Sequence, residues 1–145
     1  MNLIECVREA WAWTGLEPVE VLDQNEFGNL LVRDDTERVW WIRPEQLSCE
    51  VVAENEDTYD RLRRDPEFSL SWEMKALVTR ARRHVGALEA GRSYCLKMPA
   101  TLGGPFDESN FAALDTVMLV GVSGDIARQI QDLPDGAVVE IKIVD

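Results

Sequence analysis

A single histidine sets the first limit on chemistry: His84, flanked by Arg82 and Arg83 in a stretch of helical periodicity. A serine hydrolase needs such a base beside its nucleophile. "GVSGD" (121–125) has the outline of a nucleophile elbow, but it lacks the second glycine of G-x-S-x-G and falls inside a helical pattern, not at a strand-to-helix turn. Cys6, Cys49 and Cys95 are far apart and form no CxxC pair. They read as reduced, mostly buried thiols, not as a zinc site or a disulfide framework. "TLGGPF" (101–106) pairs two glycines without the following Lys-Ser/Thr of a phosphate loop. It reads as a turn in which Gly103 or Gly104 takes a positive φ. Carboxylates are plentiful, at 27 acids, and Glu54, Glu56, Asp57 and Asp60 crowd one segment. Their spacing suits a solvated face better than a magnesium site. The expectation is a protein without catalytic residues, metal or cofactor.

Charge points in the same direction. The chain has 145 residues and a net charge of −12. Residues 1–60 carry −11, residues 61–92 carry +4 and residues 93–145 carry −5. Most of that surface repels phosphate backbones, so nucleic acid is an unfavourable partner. A basic protein is a favourable one, with its encounter rate raised at low salt. The longest apolar run, Val117 to Val122, is far short of the ~20 residues that span a bilayer. "MNLIECVREAWAW" lacks the cationic start and apolar stretch of a secretory signal. A cytoplasmic protein with no membrane partner is expected.

These residues need elements to position them. Asn2 caps a first helix with Glu5 three residues on, and Gly15 ends it. Short strands follow at about Val19–Asp23, Asn29–Arg33 and Arg38–Ile42, and their tight turns imply an antiparallel meander. A helix is predicted around Asp57–Arg64, stopped before Pro66. Another is capped by Ser71 and runs to His84 or Val85, with Met74, Leu77, Val78, Ala81 and Val85 as its apolar stripe. "SYCLKMPA" and "FAALD" are short strands. Asp115 caps a helix over Thr116–Gln131 whose buried side is expected to hold Val122, Ile126, Ile130 and Leu133. "LPDG" turns the chain into a last alternating strand, "AVVEIKIVD". The whole is expected to be one α+β domain over residues 1–145: a small antiparallel sheet packed against several helices.

The five tryptophans are the remaining signal. Trp40 and Trp41 are adjacent on a predicted strand, so they point to opposite faces. One is core; the other faces solvent, a helix or a partner. An exposed indole bordered by Asp34, Asp35 and Glu37 would make a recognition patch, since tryptophan is enriched among interface hot spots.

Several blocks in order carry a family likeness: "FGNLLV" (27–32), "WWIRPEQLSCEVVAE" (40–54), "WEMKALV" (72–78), "YCLKMPATLGGPF" (94–106), Asn110–Phe111 and "SGDIARQIQDLPDGAVVEIKIVD" (123–145). From about residue 16 onward the chain resembles the small bacterial immunity proteins associated with type VI secretion, and is similar to the one guarding agrobacteria against a secreted DNase effector. The resemblance implies a non-enzymatic antidote that binds one cognate toxin in the producer's cytoplasm and blocks its active site or its substrate entry. With the acidic charge, it makes a basic nuclease or nucleotide-targeting toxin the expected partner. Candidate contacts are Asp34, Asp35, Glu37 and Trp41 on the meander, with Glu54, Glu56, Asp57 and Asp60 after it. The acids would steer and mimic phosphate; Trp41 would anchor. The C-terminal block reads as fold-defining, because contacts with a varying toxin need not coincide with shared motifs. Alternatives are an effector adaptor or chaperone, and a small nucleotide-binding enzyme.

Overall fold

A computed structural model describes residues 1–134 and 136–138. Helix α1, Leu3–Trp11, starts on the expected capping box: Asn2 accepts from the Glu5 N–H, and the Glu5 side chain accepts from the Asn2 N–H. A 3₁₀ turn extends it to Thr14, where Gly15 enters the left-handed region at φ 100°.

The chain then forms a four-stranded antiparallel meander in the order β1 (Pro18–Gln24), β2 (Leu30–Asp34), β3 (Val39–Arg43), β4 (Ser48–Ala53). The first three strands lie where the alternation put them; β4 was not anticipated. Two irregularities in the β1–β2 register, between Pro18 and Glu20 and between Val21 and Asp23, break the simple alternation of β1.

Both faces of this sheet are covered. On one, Trp11 of α1 and Val120 of α5 (Thr116–Ile130) pack with Leu30, Val32, Trp40 and Ile42. On the other, Phe68 and Trp72 of α3 (Pro66–Glu73) pack with Leu31, Val39 and Trp41, beside Tyr59 and Leu62 of α2 (Glu56–Arg64). A sheet buried on two sides reads as a continuous apolar run, which is how "LLV" and "VWWI" appear in β2 and β3.

A second, two-stranded antiparallel sheet joins β5 (Arg92–Leu96) to β6 (Phe111–Asp115). It packs through Tyr94, Leu96 and Phe111 on Val78 and Ala81 of α4 (Lys75–Val85). The α+β class expected from the sequence is the class observed.

Two helical expectations are corrected. Pro66 does not only stop a helix. It opens the next one, with Asp65 accepting from the Glu67 N–H, because proline at a first helical position loses no hydrogen bond. Ser71 lies inside that helix; α4 starts after Met74, which breaks the run at φ 51°. On α5, Asp115 caps as expected, accepting from the Met118 N–H at 3.2 Å. Its buried side is different: Leu119, Val120, Ser123, Gly124 and Ala127 face inward, while Val122 and Leu133 are about half exposed. Ile126 and Ile130 are partly buried against the core. The buried face follows the small residues, because α1 approaches closely there. A Cβ on Gly124 would sit 2.5 Å from the Ala10 carbonyl oxygen. Most of the last expected strand, residues 139–145, lies outside the described residues.

Candidate functional site

The eight expected contact residues divide in two. Asp34 and Trp41 are inside the protein, at 0% and 5% exposure. The exposed tryptophan of the sequence reading is therefore absent: Trp40, at 7% exposure, is buried under α1 and α5, and Trp41 under α3. Trp41 packs edge-on against Phe68 and Trp72 and donates its indole N–H to Asn29 Oδ1 at 2.8 Å. Helix α3, which covers it, was the unexpected element.

Asp34 serves the β2–β3 turn. Its carboxylate accepts from the Thr36 N–H and hydroxyl, the Arg38 N–H and Nε–H, and Trp40 Nε1 at 2.8–3.1 Å. Burial pushes its pKa up, but the hydrogen bonds from Trp40, Thr36 and Arg38 outweigh that and bring it down to about 2. The stapled turn holds Glu37 at φ 70°, a left-handed conformation unusual for a residue with a side chain.

The other six, Asp35, Glu37, Glu54, Glu56, Asp57 and Asp60, are exposed. Three of them share a cleft. Glu37 from the β2–β3 turn, Glu56 and Asp60 from α2, and Glu20 from β1 line a depression of about 260 Å³ walled by Leu22, Val39 and Tyr59. Arg33 also lines it and pairs with Glu20 at 3.0 Å. Among the described residues, Glu37, Glu56 and Asp60 form no ion pair, so this end of the cleft is anionic. Asn55 caps α2 by accepting from the Thr58 N–H at 2.9 Å, and Glu56 and Asp57 occupy its first turn, where the helix dipole favours acids. Apolar walls beneath unpaired carboxylates suit a lysine or arginine side chain, stem and head together. Asp35, Glu54 and Asp57 do not line the cleft.

Glu20 and Tyr59 were missed. Strand periodicity would have shown Glu20 facing outward, but the register irregularities of β1 hide which face its neighbours share. Tyr59 joins the cleft only because α2 folds back over the meander.

The residues weighed for catalysis lie in two helices and a turn. Ser123 is 5% exposed inside α5, and His84 is exposed on α4. Gly103 takes the positive φ of the "TLGGPF" turn, at 94°. Asn110 ties that loop down: its amide donates to the Met98 and Pro105 carbonyls, and its oxygen accepts from the Met98 N–H. A larger depression of about 540 Å³ beside α4 holds the Glu26–Arg82 ion pair, with Lys75 and Arg92. No cluster of three or more metal-ligating side chains occurs among the described residues, and no described helix is long and apolar enough to cross a membrane.

Comparison with known proteins adds two findings. The family model described as T6SS immunity protein Tdi1, C-terminal, matches residues 53–127. A crystal structure of Atu4351 from Agrobacterium tumefaciens has a similar fold, with a TM-score of 0.59 at 17% sequence identity over 84% of this chain. The match covers 64% of that chain. No curated protein sequence matches.

Proposed function

This chain belongs to the T6SS immunity protein Tdi1, C-terminal, family, and we propose that it neutralises a cognate type VI-secreted toxin in the cytoplasm by covering the toxin's active site. The toxin is a basic nuclease or an enzyme that acts on nucleotides. A protein that binds phosphates presents cations around its active site, and an acidic partner competes for them by imitating the substrate's charge.

The observation that carries this reading is the cleft in which Glu37, Glu56 and Asp60 converge without a paired cation among the described residues. It offers three anionic heads over an apolar floor. Asp35, Glu54 and Asp57 extend the field around it. Asp34 and Trp41 act indirectly, by fixing the turn and the sheet that present these acids.

Co-expression tests it. Cells making the cognate toxin are expected to resume growth when they also make this chain, and purified toxin is expected to lose activity at a one-to-one ratio. A chain that binds the toxin but leaves its activity and the growth defect unchanged would be an adaptor or chaperone, and the immunity reading would be wrong.

A further inference from the structure

Helix α5 and the β5–β6 sheet enclose a groove of about 370 Å³ with predominantly apolar walls. Met118, Val122 and Ile126, spaced i, i+4, i+8 on α5, form one wall; Met118 and Val122 are 55% and 48% exposed. Cys95, Ala112 and Leu114 line the sheet side. The charged lining residues are Glu45 and Lys97, one of each sign, so charge selects no occupant. Shape and apolarity do.

The groove borders β6, and β6 has an open edge. In the β5–β6 ladder the Lys97 N–H donates to the Asn110 carbonyl at 2.8 Å, and the Thr116 N–H donates to the Gly91 carbonyl at 2.9 Å. Antiparallel ladders alternate, so Ala113 and Asp115 turn their backbone groups away from β5. No further strand pairs with them among the described residues. A side chain reaches that edge instead: Arg92 Nη2 donates to the Ala113 carbonyl at 3.0 Å. The far edge of β5 is already engaged, since the Tyr94 N–H donates to the Glu26 carbonyl at 2.8 Å. An open strand edge beside apolar surface invites a further strand.

We infer that residues 139–145 of this same chain supply it, as a third strand parallel to β6 with Val139, Ile141 and Ile143 laid against Met118, Val122 and Ile126. The connection suits that pairing. Parallel neighbours need a crossover of about a dozen residues or more, usually a helix. Helix α5 and the turn after it lie between β6 and this segment. The direction suits it too. The Ala137 N–H closes a turn on the Pro134 carbonyl at 3.1 Å, with Gly136 at φ 82°, and such a turn sends the chain back along the element it has left. Met118 to Ile126 covers about 12 Å of helix, and an extended segment as long as residues 139–145 reaches about 23 Å. The pattern also fits: residues 139, 141 and 143 are apolar and alternate with Glu140 and Lys142. Val138, the first of the outward set, is 98% exposed. A second copy brings a net charge of −12 against its own sign, whereas a tethered segment acts at an effective concentration of about millimolar. The pairing is a property of the chain alone and stands whether or not the immunity reading does.

Methyl and amide NMR on the full chain tests it. Cross-peaks are expected between the Ile141 and Ile143 methyls and Val122. The Ala113 amide is expected to exchange at least about tenfold more slowly than in Ile141→Asp, which puts a charge on the face turned to the groove. Val138→Asp, on the outward face, is expected to change neither. Hydrogen peroxide gives a readout that needs no variant. Met118 is expected to oxidise more slowly than Met98, although it is the more exposed of the two among the described residues, 55% against 40%. Faster oxidation of Met118, absence of the cross-peaks, or equal effects of the two aspartates would overturn the inference. So would cross-peaks that arise only between differently labelled copies, which would give the groove to a second chain.

Discussion

Asp34 illustrates how one side chain can carry a site without touching a partner. It accepts from three residues and holds Glu37 in a strained conformation at the mouth of the cleft. Asp34→Asn leaves donors unmatched in the interior, and a loss of about 2–4 kcal/mol is expected at neutral pH from urea unfolding. The pH dependence has a definite sign. The folded pKa, about 2, lies below the ordinary 3.8, so this stabilisation is complete above about pH 4 and disappears as pH falls through about 2. The gap between wild type and Asp34→Asn should close over that window. The thiols give a second prediction at this scale. Burial pushes Cys49 up to about 12, with Thr14 offsetting part of the effect, and burial also raises Cys6 and Cys95. Native protein should therefore resist iodoacetamide at pH 8, and all three cysteines should react once urea unfolds it. Rapid native labelling of Cys49 would contradict its placement.

At the scale of elements, the α1–α5 contact decides the geometry of one side of the sheet. Trp11 donates its indole N–H to the Val120 carbonyl at 3.1 Å, and Gly124 lies against the Ala10 backbone. In an isolated helix, Gly→Ala stabilises by up to about 1 kcal/mol. Here the new methyl would meet backbone, so Gly124→Ala should destabilise by about 1–3 kcal/mol in thermal or urea unfolding. Gly121→Ala should cost less, since its Cβ would meet the Cys6 sulfur at 3.2 Å, a contact that a side chain can relax. Stabilisation by Gly124→Ala would mean that the helices pack more loosely than described. These contacts also account for the glycines of the "GVSGD" stretch, which let α1 and α5 approach.

For the whole molecule, long-range charge is the property that a partner meets first. Reversing Glu37, Glu56 and Asp60 together to lysine changes the net charge by six units on an exposed surface. Toxin association should slow by about tenfold or more at low salt, with dissociation less affected, and the gap should narrow as salt rises. Stopped-flow association at two ionic strengths reads this directly. Unchanged association would remove the acidic cleft from the interface.

The sequence alone was enough for the capping box at Asn2, the first three strands of the meander and the cap at Asp115. Each follows from neighbours in the chain, whose geometry is local. Which surfaces exist was decided by packing. Trp41 alternates correctly on its strand, yet it is buried because α3, opened by Pro66, lies over the second face of the sheet. Glu37 is distant in sequence from Glu56 and Asp60, which are neighbours on α2, and meets them only when α2 folds across the meander. On α5 the small residues at 123, 124 and 127 turn inward beside Leu119 and Val120, and Val122 is left outside, since close helix contact favours the absence of a side chain over the presence of an apolar one. Hydrophobicity says that a residue has reason to be buried; only the neighbours that arrive from elsewhere in the chain determine whether there is a place for it.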